Sequence, residues 1–250
     1  MAQRLRASWQ LVGVLLHLVR GWWTVALVFP GLSSRRKEER IRVWALSLLG
    51  LLAIKLEVSG KPPAFGPVLL VCNHISWLDI YVILAVCHCR FVAKAEVGRW
   101  PLIGTLAAAA GTLFIERESR RDALRVVQQM ADRLQAGDAI AVFPEGTSSD
   151  GVDVLPFHAN LVQAAIAADA LVQPAAIRFS DAGSGAHSKA ACYIDKDTLI
   201  GSIWRILNAP PLCATLMFGE QQLALGRGRR VWSADLRLAV AALRASPTDR

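Results

Sequence analysis

The chain is poor in the residues that would place it in several large classes. It holds only 5 cysteines in 250 residues. The number is odd and lacks the paired spacing of a secreted disulfide framework, so a reducing compartment is expected. Glycine (18) and proline (11) are too few for a collagen-like chain. Charged residues make up only 19% against 54% hydrophobic, a balance that excludes a disordered chain. No internal repeat and no low-complexity segment is present. Acidic residues are outnumbered 20 to 28 by basic ones, and 22 of the 28 are arginine, giving a net charge of +8. That excess suits an anionic partner: nucleic acid, a phospholipid surface or a phosphate-bearing substrate. Mean hydropathy is +0.37, high enough to bring a membrane into consideration. The length allows one large domain or two small ones, at about 150 residues each.

The apolar excess is concentrated at the N-terminus. One apolar segment covers residues 9–30, interrupted by His17 and Arg20, and a second covers 43–54 and is followed by Lys55. A full span needs about 20 apolar residues; the first reaches that length but carries a charge, and the second is too short. Arg4 and Arg6 precede them, and the basic stretch 33–40 separates them. Basic flanks on both sides place both ends on the cytoplasmic face. A two-helix hairpin dipping into one leaflet therefore fits better than a single span, with residues 1–58 as a membrane anchor and 59–250 as the catalytic domain. Two amphipathic helices packed on that domain remain the alternative. A cleaved signal peptide fits poorly, because the apolar stretch is too long and no small-residue cleavage pattern follows it.

From residue 56 onward the pattern is α/β. Residues 67–72 (PVLLVC) form a short aliphatic run after a turn region, the mark of a buried strand. Further strands are expected at 90–94, 111–115, 139–143, 171–179, 190–194 and 214–218. Helices are expected at 76–86, 119–134, 198–207 and 233–243, the second of them stopping at Gly137. Strands alternating with helices give a mixed, mainly parallel sheet flanked by helices. Cys87-His88-Cys89 resembles a metal fragment, but a tetrahedral site wants wider spacing and a second ligand pair. No second pair exists, so small buried residues at a helix end are expected, and no metal.

Two motifs stand directly after aliphatic strands, where α/β folds place reactive groups. Asn73-His74-Ile75-Ser76-Trp77-Leu78-Asp79 follows the first. Asn73 and Ser76 can each cap the next helix. An irregular first turn would let Asp79 hold one imidazole nitrogen of His74 protonated and leave the other free as a base. Phe143-Pro144-Glu145-Gly146-Thr147-Ser148-Ser149 follows another strand, and its amides and hydroxyls can donate to phosphate oxygens. Taken singly, a structural histidine and a surface turn are the safer readings of these segments.

Together the two motifs change the reading. NHxxxxD followed by FPEGT resembles the glycerolipid acyltransferase family, the PlsC-type lysophosphatidic acid acyltransferases. Lys94 to Gly104, Gly111 to Arg117 and the stretch around Pro174 are similar to the family's other ordered blocks, so the resemblance covers most of the chain after residue 60. Two apolar helices ahead of the domain also look like that family's membrane-docking module. The resemblance implies the glycerolipid acyltransferase fold and direct acyl transfer without a cofactor or an acyl-enzyme nucleophile. It makes His74 the general base, Asp79 its orienting partner and Lys94 the stabiliser of the thioester oxyanion. Asn73, Arg117 and the Glu145-Gly146-Thr147 turn would bind the acceptor, arginine suiting phosphate through its planar fork. Glu145 would repel a phosphate, so contact with an acceptor hydroxyl or with Arg117 makes more sense. Pro174 would shape the pocket, and Ser76 receives no role.

The implied partners are an acyl-ACP or acyl-CoA donor, a lysophosphatidic acid or related lyso-lipid acceptor, and an anionic membrane surface. His158 departs from the family pattern, where many relatives carry a basic residue and then glycine; this opens a phosphate-free acceptor such as a lyso-ornithine lipid. A hydrolase is disfavoured by the absence of a Gly-x-Ser-x-Gly elbow. Nucleic acid is not expected as a partner, since no helix-turn-helix, zinc or aromatic RNA-binding signature is present.

Overall fold

The N-terminal apolar segments fold as two antiparallel helices that do two jobs. In the computed structural model, which describes residues 2–64, 66–116 and 120–246, α1 (Ala2–Trp23) continues through a π turn (Thr24–Val28) and a short 3-10 turn (Phe29–Gly31). The chain then reverses into α2 (Ser34–Leu51). The basic stretch 33–40, expected between the apolar segments, forms the first half of α2. On the inner side Ala7, Val14, Ala45, Leu48, Leu49 and Leu52 are buried in the main hydrophobic core. On the outer side Leu5, Trp9, Val12, Leu16, Val19 and Trp23 are exposed. Their three- and four-residue spacing makes one continuous apolar stripe along α1. The hairpin is thus packed on the domain through one face, and the opposite face of α1 is apolar and exposed.

After the hairpin come β1 (Ile54–Ser59), β2 (Val68–Cys72), α3 (Leu78–Leu84), β3 (Arg90–Lys94), α4 (Ala95–Gly98), α5 (Ile103–Ala109) and β4 (Leu113–Ile115). Next are α6 (Arg120–Gln135), β5 (Ala139–Val142), α7 (Val162–Ala168), β6 (Leu171–Asp181), α8 (Leu199–Asn208), β7 (Leu212–Phe218) and α9 (Arg229–Ala245). The seven strands form one sheet in the order β1-β7-β6-β2-β5-β3-β4. All neighbours pair in parallel except β6 with β7. β2 sits at the centre and alternates between two cores, as strand geometry requires. Leu70 and Cys72 face the side covered by α1, α2, α3 and α8. Leu69 and Val71 face the side covered by α6, α7 and α9. The mixed, mainly parallel sheet flanked by helices is as expected.

The short helices α4, α5 and α7 were not among the expected elements, and two strand assignments differ. β1 was not anticipated, and the division expected between residues 58 and 59 falls inside it. It pairs with β7 from Ile54↔Leu212 to Ser59↔Met217, so the sheet begins within the stretch assigned to the anchor. Residues 190–194, expected as a strand, form no strand: Lys189–Ala191 is a 3-10 turn. Its backbone groups are claimed elsewhere. Arg205 donates to the carbonyls of Ala190 and Cys192, Ser148 Oγ donates to the carbonyl of Tyr193, and the Tyr193 amide donates to Ile75 O. A segment whose donors and acceptors are taken by side chains and a distant loop has none left for a ladder.

Candidate active site

The centre of the sheet presents the C-terminal ends of β2 and β5 side by side, and both motifs emerge there. Val71 pairs with Val142, so His74 and the Phe143–Ser149 turn leave from neighbouring strands at the same level. Asn73 continues the pairing of β2 with β6 through its side chain. Its Nδ2 donates to Ile177 O at 3.0 Å, and its Oδ1 accepts from Ile177 N at 2.8 Å. Asn73 is fully buried and both ends of its amide are in use. Expected to bind substrate, Asn73 has its side chain occupied in tying the loop that carries His74 to β6.

Asp79 closes the irregular turn. Its Oδ2 accepts from His74 Nδ1 at 2.7 Å and from the amides of Ile75 at 2.7 Å and Ser76 at 2.9 Å. Three donors converging on one oxygen of a buried carboxylate fix both the loop and the imidazole. With Nδ1 assigned as the donor to that carboxylate, Nε2 is the basic nitrogen. Nε2 has no hydrogen-bond partner among the described residues, and the side chain is 23% exposed. Phe143 stacks on the other face of the ring, centroids 4.2 Å apart and 12° from parallel. This contact was not anticipated, although Phe143 opens the second motif. Ser76 Oγ is buried without a hydrogen-bond partner among the described residues, so it forms no nucleophile pair with His74.

The second motif is laced to the first. Glu145 Oε1 accepts from the His74 amide at 2.9 Å. Its Oε2 is buried and has no hydrogen-bond partner among the described residues. Burial pushes the Glu145 carboxyl up to about 7, against the opposing pull of the His74 amide. Ser149 donates to His74 O through its amide at 2.9 Å and its hydroxyl at 3.2 Å. Gly146 turns with φ +72°, and Thr147 is exposed beside it. Gly151 has φ +70°, and a Cβ there would lie 2.8 Å from Ile75 Cδ1. Only glycine lets the two loops approach this closely.

The remaining expected residues lie farther out. Lys94 ends β3, two strands from β2, with its side chain exposed. Arg117 lies outside the described residues. Pro174 sits inside β6 opposite Val71, and its carbonyl accepts from Gly219 N at 2.8 Å. His158 is exposed, and its amide donates to Pro144 O at 2.8 Å. Cys87 and Cys89 are buried at the end of α3, their sulfurs 3.9 Å apart.

An apolar cavity of about 120 Å³ lies between the hairpin and the sheet, lined by no residue of either motif. Gly21 and Trp44 line it on the hairpin side, Ile80 and Tyr81 on α3, and Phe91 and Ala93 on β3. Phe91 stacks near Phe143 at 6.2 Å, so one wall of the cavity leads to the ring that covers His74.

An imidazole oriented by a buried carboxylate, with its second nitrogen open, is the arrangement of a general base. Residues 54–178 match the Acyltransferase family, and the chain belongs to it. The chain is 37% identical over 188 residues to a lyso-ornithine lipid O-acyltransferase of Pseudomonas aeruginosa, covering 75% of this chain and 71% of that one. It is 39% identical over 173 residues to a 1-acyl-sn-glycerol-3-phosphate acyltransferase of Neisseria meningitidis serogroup B, covering 68% and 67%. Its fold matches the crystal structure of PlsC, the 1-acyl-sn-glycerophosphate acyltransferase of Thermotoga maritima, with a TM-score of 0.66 and 20% identity. That match covers 96% of this chain and 100% of the other.

Proposed function

We propose that this acyltransferase moves an acyl chain from acyl-ACP or acyl-CoA to the free hydroxyl of 1-acyl-glycerol-3-phosphate, giving phosphatidic acid. The observation that carries the reading is the 2.7 Å bond from His74 Nδ1 to Asp79, which leaves Nε2 open to take a proton. Nε2 takes the proton from the acceptor hydroxyl as the oxygen attacks the thioester carbon. Collapse of the tetrahedral intermediate breaks the C–S bond, and the imidazolium returns its proton to the leaving thiolate. The apolar cavity suits the donor's acyl chain, and Lys94 stands at the same end of the sheet to meet the oxyanion. Arg117 and the Glu145-Gly146-Thr147 turn bind the acceptor head group.

The N-terminal hairpin docks the enzyme on the cytoplasmic face of a membrane. Residues 5–31 include a helical stretch long and apolar enough to cross one, by length and composition. The outer stripe of α1 and the basic residues at both ends of the hairpin support an in-plane arrangement. In this division of labour residues 1–58 hold the hairpin and 59–250 the catalytic domain, with β1 joining them at the sheet.

A phosphate-free lyso-ornithine lipid is the second acceptor. The Phe143–Ser149 turn carries no arginine or lysine, and a relative at 37% identity is named for that lipid. Purified protein given each lyso-lipid with each donor, with products read by mass, tests both. Phosphatidic acid is the expected product; failure with every acceptor and both donors would overturn the proposal. The Arg117→Ala variant separates the acceptors. It should raise KM for the phosphate-bearing lipid roughly tenfold or more, from the ~1.5–3 kcal/mol of a charge-assisted hydrogen bond. For a lyso-ornithine acceptor it should change little.

A further inference from the structure

Helix α8 carries large apolar residues on two faces. Ile203, Ile206 and Leu207 are buried, whereas Ile200 is 68% and Trp204 38% exposed. Four residues apart, these two share one strip of the helix surface. The exposed Lys196 stands just ahead of the helix between the exposed Asp195 and the partly buried Asp197, the latter neutralised by Arg205, and Thr198 Oγ1 caps the helix by accepting from Gly201 N at 3.1 Å. α8 packs along α1, whose outer stripe is exposed as well, so uncovered apolar strips lie on two neighbouring helices. The inner face of α8 is tied to the catalytic loop. Trp77 Nε1 donates to Ser202 Oγ at 3.1 Å, and Trp77 lies two residues before Asp79. Arg205 pairs with Asp197 at 2.9 Å and donates to the carbonyls of Ala190 and Cys192. The loop it holds reaches Tyr193, whose amide donates to Ile75 O at 3.0 Å.

We propose that α8 is a second membrane-contacting element, an interfacial helix that inserts Ile200 and Trp204 into the headgroup region of an anionic bilayer. This inference deepens the docking reading of the hairpin and rests on it. Ten residues span roughly 15 Å, too short to cross a bilayer. An apolar strip beside a lysine is the pattern of a helix lying in the interface. Tryptophan favours that depth because its ring is apolar and its N–H polar, and Lys196 meets lipid phosphates there. The consequence is mechanical. Through Ser202, Trp77 and Asp79, a short bonded path sets the height of His74 above the bilayer, where a lyso-lipid acceptor can present its hydroxyl while its tail stays in lipid.

The test uses the full chain with vesicles of phosphatidylethanolamine and phosphatidylglycerol. Three double variants are compared: Ile200→Glu/Trp204→Glu, the conservative Ile200→Leu/Trp204→Phe, and Trp9→Glu/Leu16→Glu on α1. The first should bind about tenfold more weakly than wild type, and the conservative pair like wild type. All three should turn over a short-chain, monomeric acceptor at the wild-type rate, which shows the site intact. Wild-type binding by Ile200→Glu/Trp204→Glu, with release of the α1 variant, would overturn the role of α8 and leave the docking reading standing. Wild-type binding by both would overturn both. Equal loss in the conservative pair would overturn the proposal as well, because packing rather than lipid contact would then explain it.

Discussion

Replacing Glu145 by glutamine should alter the pH dependence of stability in a direction the site dictates. The carboxyl is almost completely buried (4% exposed), with Oε1 bonded to the His74 amide and Oε2 without a hydrogen-bond partner among the described residues. Burial raises it from 4.5 to about 7. Below pH 4.5 the group is protonated in both native and unfolded chains and imposes no penalty. Between 4.5 and about 7 the unfolded chain releases a proton that the native state keeps, so stability falls as pH rises. Above about 7 both forms are ionised and the loss is complete. The difference of about 2.5 in pKa corresponds to roughly 3 kcal/mol. The effective dielectric around a group this close to the loop surface trims this to about 2 kcal/mol over the whole range. Glu145→Gln keeps the shape and the acceptor for the His74 amide but has no proton to lose. Denaturant unfolding of both proteins in the same micelles at pH 5, 6, 7 and 8 gives the difference in stability. The variant should gain roughly 1–2 kcal/mol on wild type between pH 5 and 8, part of the full loss having occurred below pH 5. A difference that stays flat, or one that moves in wild type's favour, would refute a buried carboxyl held up by desolvation.

Other substitutions probe neighbouring parts of the site. Asp79→Asn should lower kcat about 10- to 150-fold with little change in KM, because the charge-assisted bond to His74 is worth ~1.5–3 kcal/mol; steady-state kinetics at saturating donor checks it. Gly21→Val should shift preference toward shorter acyl donors, because a Cβ at this position meets Trp44 Nε1 at 2.7 Å on the cavity wall. Competition between donors of different chain length reads that shift, and an unchanged preference would remove the cavity from the account. Gly151→Ala should lower the unfolding temperature and kcat together, since its Cβ would press on Ile75 from a left-handed backbone; thermal melts paired with rates test this.

The fold was legible where local pattern and tertiary role agree. β2 and β5 are buried on both faces and read as unbroken aliphatic runs, and the motifs at their ends follow from the architecture. β1 was missed although Ile54, Leu56 and Val58 alternate with Lys55, Glu57 and Ser59. It is a six-residue edge strand joined directly to an apolar hairpin, and alternation that short is hard to separate from the helix before it. Residues 190–194 look like a strand by composition, but their fate is set by Arg205 and Tyr193 contacts remote in sequence. The pairing of His74 with Asp79 was foreseen from spacing. The engagement of Asn73 was not, because Ile177 lies 104 residues away and only the strand order brings it near. Phe143 stacking and the Ser149 bonds to His74 O depend in the same way on β2 and β5 being neighbours.

The central claim is that His74 is the base for acyl transfer, and the His74→Ala variant tests it most directly. Wild type and variant are incubated with acyl thioester and 1-acyl-glycerol-3-phosphate in the same vesicles, and diacylated product is counted by mass. Product formation should be abolished while unfolding behaviour stays near that of wild type. Near-normal turnover by a folded His74→Ala protein would contradict it.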